Sequence, residues 1–354
     1  MIICIVNNLL KNTLENNQNQ LYFYGYGSTS KHIINQIKNS NLYLTGVIDK
    51  NYKSENKKGI RIINLKDANV LKKEYPIIIS LHNHYVDLEE IQKDLLELGF
   101  ESIFSIYEFL NQFPNFQLEN NYWYLKDYKY DVKFISSFFK DLESLNNIDK
   151  IVNFRTTGII DAAPKPNLEK VSLINIINSF DNKLNVLDGG AFRGEFLNFL
   201  LNSGFKVNQY TAFEPDIKNF KLLEETEFKN ISTQLINKGI FNENIDLKFD
   251  NLGNTSSKRS DDTEAVASFI KLDTFNFKAK TNLIKLDIEG DELHALEGAK
   301  KLIKKNKPIL VISTYHKPEH LSDILFFIDS LKLNYKFKLE ITEFSTFGVD
   351  LYCY

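Results

Sequence analysis

The stretch VLDGGAFRGEFL, residues 186–197, limits the possible folds of this chain more than any other. An apolar run meets Asp188, three small residues follow (Gly189, Gly190, Ala191), and apolar residues resume at Phe196, Phe199 and Leu200 with helical spacing. Strand, glycine turn and helix in that order form the first part of a βαβ unit, whose chain must return as a parallel neighbouring strand. The return is YTAFEPD, residues 210–216, which carries Glu214 at its end. Glu214 follows Gly190 by 24 positions (214 − 190), the offset at which an acid on the adjacent strand tip can accept both hydroxyls of a ribose.

An earlier stretch repeats the layout. LYFYGYGSTSKHIINQI places a strand over 21–24 before Gly25, Gly27 and Ser28, with Ile33, Ile34 and Ile37 on one helical face, and the next strand ends at Asp49. Asp49 lies 22 positions after Gly27 (49 − 27), again the layout of a nucleotide site, although Ser30 stands where a dinucleotide loop has its third glycine. Two readings stay open: a bound nucleotide or nucleotide-sugar, or a Rossmann-like module kept for docking. His82 and His84 follow the strand of residues 76–80; without a carboxylate partner they are read as lining a cleft mouth or capping the strand rather than holding a metal. With 354 residues, two α/β domains are expected: a nucleotide- or sugar-binding-type module over 1–112, a helical connector over 113–180, and a second doubly wound domain over 181–354. The connector contains Trp123, and Phe134, Phe138, Phe139 and Leu142 predict one helix there.

Composition narrows the partners. A net charge of −3 gives no basic surface for nucleic acid, and no run reaches 18 apolar residues, so no membrane span is expected. The two cysteines, Cys4 and Cys353, form no spaced metal or disulfide pattern and fit a reducing, cytoplasmic setting. Unlike a dinucleotide loop, the 188–194 turn starts with an acid, which suits a ligand bringing positive charge and suits a pyrophosphate poorly. S-adenosylmethionine combines a ribose with a sulfonium and an ammonium group.

Four separated stretches, VLDGGAFRGEF, FEPD, LIKLDIEGDELHALEGA and KPILVISTYHKPEHL, occur in the order found in the FkbM family of class I S-adenosylmethionine-dependent methyltransferases, which residues 181–354 resemble. The resemblance implies a seven-stranded sheet with an antiparallel last strand, supplied by a hairpin over 335–354. It also implies that Asp188, Gly189, Gly190, Ala191 and Gly194 hold the methionine part, that Glu214 with Pro215 holds the ribose, and that Asn237 and Lys238 border the adenine. The alternatives beside these roles are that Gly194 permits helix-on-sheet packing and that Asp188 caps the helix. The N-terminal module is similar to those of polysaccharide-biosynthesis proteins, so the implied acceptor is a hydroxyl of a sugar, a sugar nucleotide or a glycoconjugate precursor.

The strand ending at Asp287 runs into Ile288, Glu289, Gly290, Asp291 and Glu292, an acidic tip at the carboxyl edge of the sheet. Asp291 and Glu292 are read as stabilising the following helix start, and Asp287 and Glu289 as orienting the acceptor. Mg²⁺ suits such a tip, but the next strand end (Ser313, Thr314, Tyr315, His316) adds no second carboxylate pair, so no metal is expected as a requirement. His316 is the candidate base for the acceptor proton, the alternative being a capping histidine; Pro318 implies that the helix starts after His316, so the ring of His320 need not share its face. The polar segment within 241–269 is expected to be a lid. The rival readings are a non-catalytic nucleotide-sugar-binding scaffold and a dinucleotide-dependent sugar oxidoreductase.

Overall fold

A computed structural model describes residues 8–57, 59–118, 128–180, 183–228, 230–254, 257–261 and 263–354; Cys4 and Trp123 lie outside them. The chain divides into two compact units, one of Met1–Tyr130, Asn146–Pro166 and Glu343–Phe347, the other of Asp131–Leu145, Asn167–Thr342 and Gly348–Tyr354. Residues 113–180 are thus shared between the units.

The first unit is built on strands β1 (Gln20–Tyr24), β2 (Tyr43–Asp49), β3 (Glu55–Lys57), β4 (Ile60–Asn64), β5 (Ile77–Ile79) and β6 (Ile103–Ser105) in the order β3-β4-β2-β1-β5-β6. All neighbours pair parallel except β3 with β4. Burial of Phe23, Val47, Ile48 and Ile77 to Ile79 accounts for the unbroken apolar strands, since a parallel sheet is covered on both faces. The helix Leu88–Glu97 begins where the Asp87 side chain accepts the N–H groups of Glu89 and Glu90, and it ends before Gly99 at φ +85°.

The second unit carries β7 (Lys183–Gly189), β8 (Lys206–Phe213), β9 (Ser232–Ile236), β10 (Gly239–Phe241), β11 (Ile245–Lys248), β12 (Val266–Lys271), β13 (Leu283–Leu286), β14 (Ile309–Ser313), β15 (Phe337–Glu343) and β16 (Gly348–Cys353). Seven of them form a sheet in the order β15-β16-β14-β13-β7-β8-β9, with β16 antiparallel to β14. Leu197 and Leu200 of the helix Glu195–Asn202 are fully buried against Tyr210, Leu283 and Tyr352, each worth roughly 1.5–3 kcal/mol of burial; Phe196 and Phe199 pack at the edge of this core. Strand order reverses between β7 and β13, so the carboxyl ends of β7, β8, β13 and β14 flank a crevice at the switch point.

One expectation changes. The single helix through 134–142 is two, Val132–Ser136 and Leu142–Thr157: Asp131 caps the first through Phe134 N, Ser137 Oγ bonds back to Phe134 O, and Asp141 accepts Ser144 N to start the second. The strand-like runs on either side of the polar stretch within 241–269 are strands: β11 and β12 pair antiparallel and join β10 in a three-stranded sheet. Residues 249–265 remain between those strands.

Candidate active site

The glycine turn answers first to its own neighbours. Gly190 sits at φ +72°, and a Cβ there would lie 1.9 Å from the Asp287 carbonyl oxygen; at Gly189 a Cβ would meet Ile240 and Leu286 within 2.9 Å. Close approach of the β13 end therefore demands glycine at Gly190 whether or not a ligand is bound. Gly190 N and Ala191 N both donate to Phe213 O, at 3.0 and 3.1 Å, which ties the turn to the end of β8. Gly194, at φ +84°, precedes the helix and faces the Phe228 ring, so it serves the packing role as well.

Asp188 is completely buried, and its charge is met from inside the protein. Its Oδ2 accepts from Tyr210 Oη at 2.7 Å, and its Oδ1 lies 3.3 Å from Lys285 Nζ. Lys285 thus answers its charge from within the protein, and Asp188 caps no helix. Lys285 is paired with Asp188 in the β7–β13 ladder and donates to Gly190 O at 2.8 Å. Burial alone would lower the pKa of this lysine, but Asp188 and Asp287 outweigh it and hold the ammonium charged. Lys285 was overlooked at the sequence level; its signal was a lone cation inside an otherwise apolar strand, LIKL.

Glu214 stands at the tip of β8, 5% exposed, with Oε2 accepting Phe192 N and Oε1 accepting Asp216 N, both at 2.9 Å. Burial pushes its carboxyl up to about 7 against the pull of those two N–H groups. Each carboxylate oxygen has two acceptor positions, so one on each remains for a ligand donor. Asn237 Nδ2 donates to Glu214 O and Pro215 O at 2.8 and 3.1 Å, fixing this tip, while Lys238 is exposed. Asp216 accepts Gly253 N and Ser257 Oγ, so part of the 249–265 segment is anchored beside Glu214. Arg259 from the same segment pairs with both Asp291 oxygens and lies 4.7 Å over the Phe241 ring.

The acidic tip and β14 converge. His316 Nε2 is 3.4 Å from Glu289 and 3.6 Å from Asp287, and its Nδ1 is 2.9 Å from Glu292 Oε1. Asp287 also accepts from Tyr315 Oη at 3.2 Å. Glu292, completely buried, accepts Ile288 N at 2.8 Å and lies 3.2 Å from His320 Nδ1. The two histidines therefore flank one carboxylate although the helix His320–Ser330 begins after His316, as Pro318 implied, because the chain turns between them. Glu292 was read only as a helix-start acid; it is the centre of this cluster. Burial would discharge His316, yet Glu292 and Glu289 hold it well above the usual imidazole range. The ring is thus part of a cluster of acids rather than a free base.

In the first unit Gly25 (φ +95°) faces Leu81, Gly27 caps the helix Ser28–Ile37, and Asp49 accepts Tyr26 N and Asn51 N at 2.7 and 2.8 Å. A cavity of about 200 Å³ is lined by Gly25, Asp49, Lys50, Asp87, Glu90 and Asp94 among others. Four carboxylates against one ammonium suit a phosphate-bearing ligand poorly. His82 Nδ1 lies 2.9 Å from Tyr107 Oη, and the His84 ring lies tilted against Tyr85, so each ring has its own partner.

A seven-stranded sheet in this order with one antiparallel member near its edge, a glycine turn after its central strand and an acid on the next strand tip define a class I methyltransferase fold. Residues 188–338 match the methyltransferase FkbM domain, a match that supports methyl transfer as the chemistry at the crevice. The crystal structure of methyltransferase FkbM from Methylobacillus flagellatus KT resembles the chain in fold, with a TM-score of 0.77 at 19% identity over 98% of this chain and 93% of that one. A second solved structure, from Bacillus halodurans C-125, aligns over 48% of this chain and 70% of its own at 10% identity with a TM-score of 0.26, too low to bear on the fold. No curated protein matches the chain. Among the described residues no helix is long and apolar enough to cross a membrane.

Proposed function

We propose that the protein is a cytoplasmic S-adenosylmethionine-dependent O-methyltransferase acting on a hydroxyl of a sugar, a sugar nucleotide or a glycoconjugate precursor. The observation that carries the donor site is Glu214: a buried carboxylate at a strand tip, with one acceptor position left on each oxygen, beside a turn whose main chain is bare at Gly190. That arrangement fits two adjacent ribose hydroxyls. When bound, the cofactor supplies an electrophilic methyl group on a sulfonium sulfur.

The chain's own residues divide the remaining work. Gly189 to Gly194 line the methionine part, with Asp188 acting through Lys285 to hold the turn; Pro215, Asn237 and Lys238 border the adenine. Asp287, Glu289 and His316 orient the acceptor hydroxyl and receive its proton as a unit, since both acids lie within 3.6 Å of His316 Nε2. Positioning of this kind contributes up to roughly 7–11 kcal/mol, more than the 10²- to 10⁴-fold typical of a base. The sugar class is supported by the family resemblance and the N-terminal module.

Titration calorimetry with S-adenosylmethionine on wild type and Glu214→Ala tests the donor site, with binding in the first and at least tenfold weaker binding in the second expected. Labelled donor incubated with a panel of nucleotide sugars, followed by mass spectrometry, identifies the acceptor. A wild-type protein that binds no donor leaves the scaffold reading in its place.

A further inference from the structure

The cluster at the ends of β13 and β14 has more negative charge than its surroundings answer. Asp287, Glu289 and Glu292 all approach His316, and Lys285, 3.8 Å from Asp287, is already engaged with Asp188 and Gly190 O. His316 is buried and neither of its ring nitrogens has a hydrogen-bond partner; the same holds for Glu292 Oε2 and His320 Nδ1. The acids crowd both ring nitrogens at 2.9–3.6 Å, Glu292 at Nδ1 and Asp287 with Glu289 at Nε2, yet none of these contacts has hydrogen-bond alignment, so buried polar atoms here are left without a matched partner. One donor atom from each of Asp287, Glu292 and His316 lies within 4.8 Å of the other two. Ligands held ~2.1 Å from one ion are at most ~4.2 Å apart, so a small closure brings all three into a coordination shell.

We propose that Asp287, Glu292 and His316 bind one divalent first-row transition-metal ion, with Glu289 in reach as a further oxygen ligand. The imidazole selects the class of ion: Mg²⁺ and Ca²⁺ take oxygen ligands almost alone, whereas Mn²⁺, Fe²⁺ and Zn²⁺ accept mixed nitrogen and oxygen sets. Two positive charges would offset carboxylates whose burial is otherwise expensive. The expectation against a required metal took Glu292 for a helix-start residue, and its place beside His316 supplies the missing ligand. Occupancy of the site is independent of the methyltransferase reading. Its use, acidifying and orienting an acceptor hydroxyl, rests on that reading.

The test uses the full chain freed of metal by chelator and titrated separately with Mn²⁺, Zn²⁺ and Mg²⁺. One Mn²⁺ or Zn²⁺ per chain is expected, with Mg²⁺ at least tenfold weaker, and at least tenfold loss in Asp287→Asn and in His316→Gln. Anomalous diffraction from wild-type crystals grown with Zn²⁺ or Mn²⁺ covers the case of a variant that does not fold, and should place the ion between the three ligands. No bound ion in wild type, an ion located elsewhere, or unchanged affinity in both folded variants overturns the proposal. S-adenosylmethionine binding measured on the same samples separates the two readings. Metal bound without the cofactor sinks the donor site alone; cofactor bound without metal sinks this one alone.

Discussion

Gly190 and Glu214 show how single residues divide between fold and chemistry. A methyl group at Gly190 would strike the Asp287 carbonyl and force a positive φ on an L-residue, so Gly190→Ala is expected to lose roughly 2–5 kcal/mol in chemical denaturation. Gly27→Ala, with open space and an ordinary φ of −84°, should cost under about 1 kcal/mol. Glu214 pays for its position in a pH-dependent way. Its folded pKa of about 7 exceeds the ordinary 4.5, so the folded state binds more protons between those values and stability falls as pH rises through them, by about 3 kcal/mol in all. Glu214→Gln should flatten thermal stability between about pH 5 and pH 8. Wild-type affinity for S-adenosylmethionine should rise over the same interval, as the carboxyl loses the proton that competes with ribose hydroxyls.

At the scale of elements, the β7–β13 ladder is where two strands share a buried charge pair. Lys285 sits opposite Asp188 in register, and its removal leaves a fully buried carboxylate answered only by Tyr210. Lys285→Met should therefore cost roughly 3–5 kcal/mol, and Asp188→Asn added to it should recover part of that loss. A double-variant cycle by urea denaturation gives the coupling. The turns themselves were readable from local pattern: the glycines, the acid at 214 and the tip 287–292 all fell at strand ends. Lys285 and Glu292 were misjudged because periodicity says which face a residue occupies and nothing about what it meets there.

For the whole molecule, the boundary suggested by composition cuts through packed structure. Leu173 and Ile177 are fully buried in the core of the second unit, Ser172 N donates to Glu340 at 3.1 Å, Ser144 Oγ accepts Leu339 N at 2.9 Å, and Lys338 bonds Asp141 at 2.7 Å. A fragment of residues 181–354 lacks Asp141, Ser144, Ser172, Leu173 and Ile177. It should lose roughly 5 kcal/mol or more and melt at least about 10 °C below the full chain in calorimetry.

The sequence by itself determined the two strand–glycine–helix units and the strand tips that border the crevice, because these depend on spacing within some 25 residues; the seven-stranded sheet followed only from the family resemblance. Only the tertiary structure decided that Asp188 is neutralised by Lys285, that Glu292 joins His316 and His320, and that Gly190 yields to the main chain at Asp287. Those partners meet through strand order and register. The crossover connections that set order and register bring together residues whose separation along the chain carries no local signal.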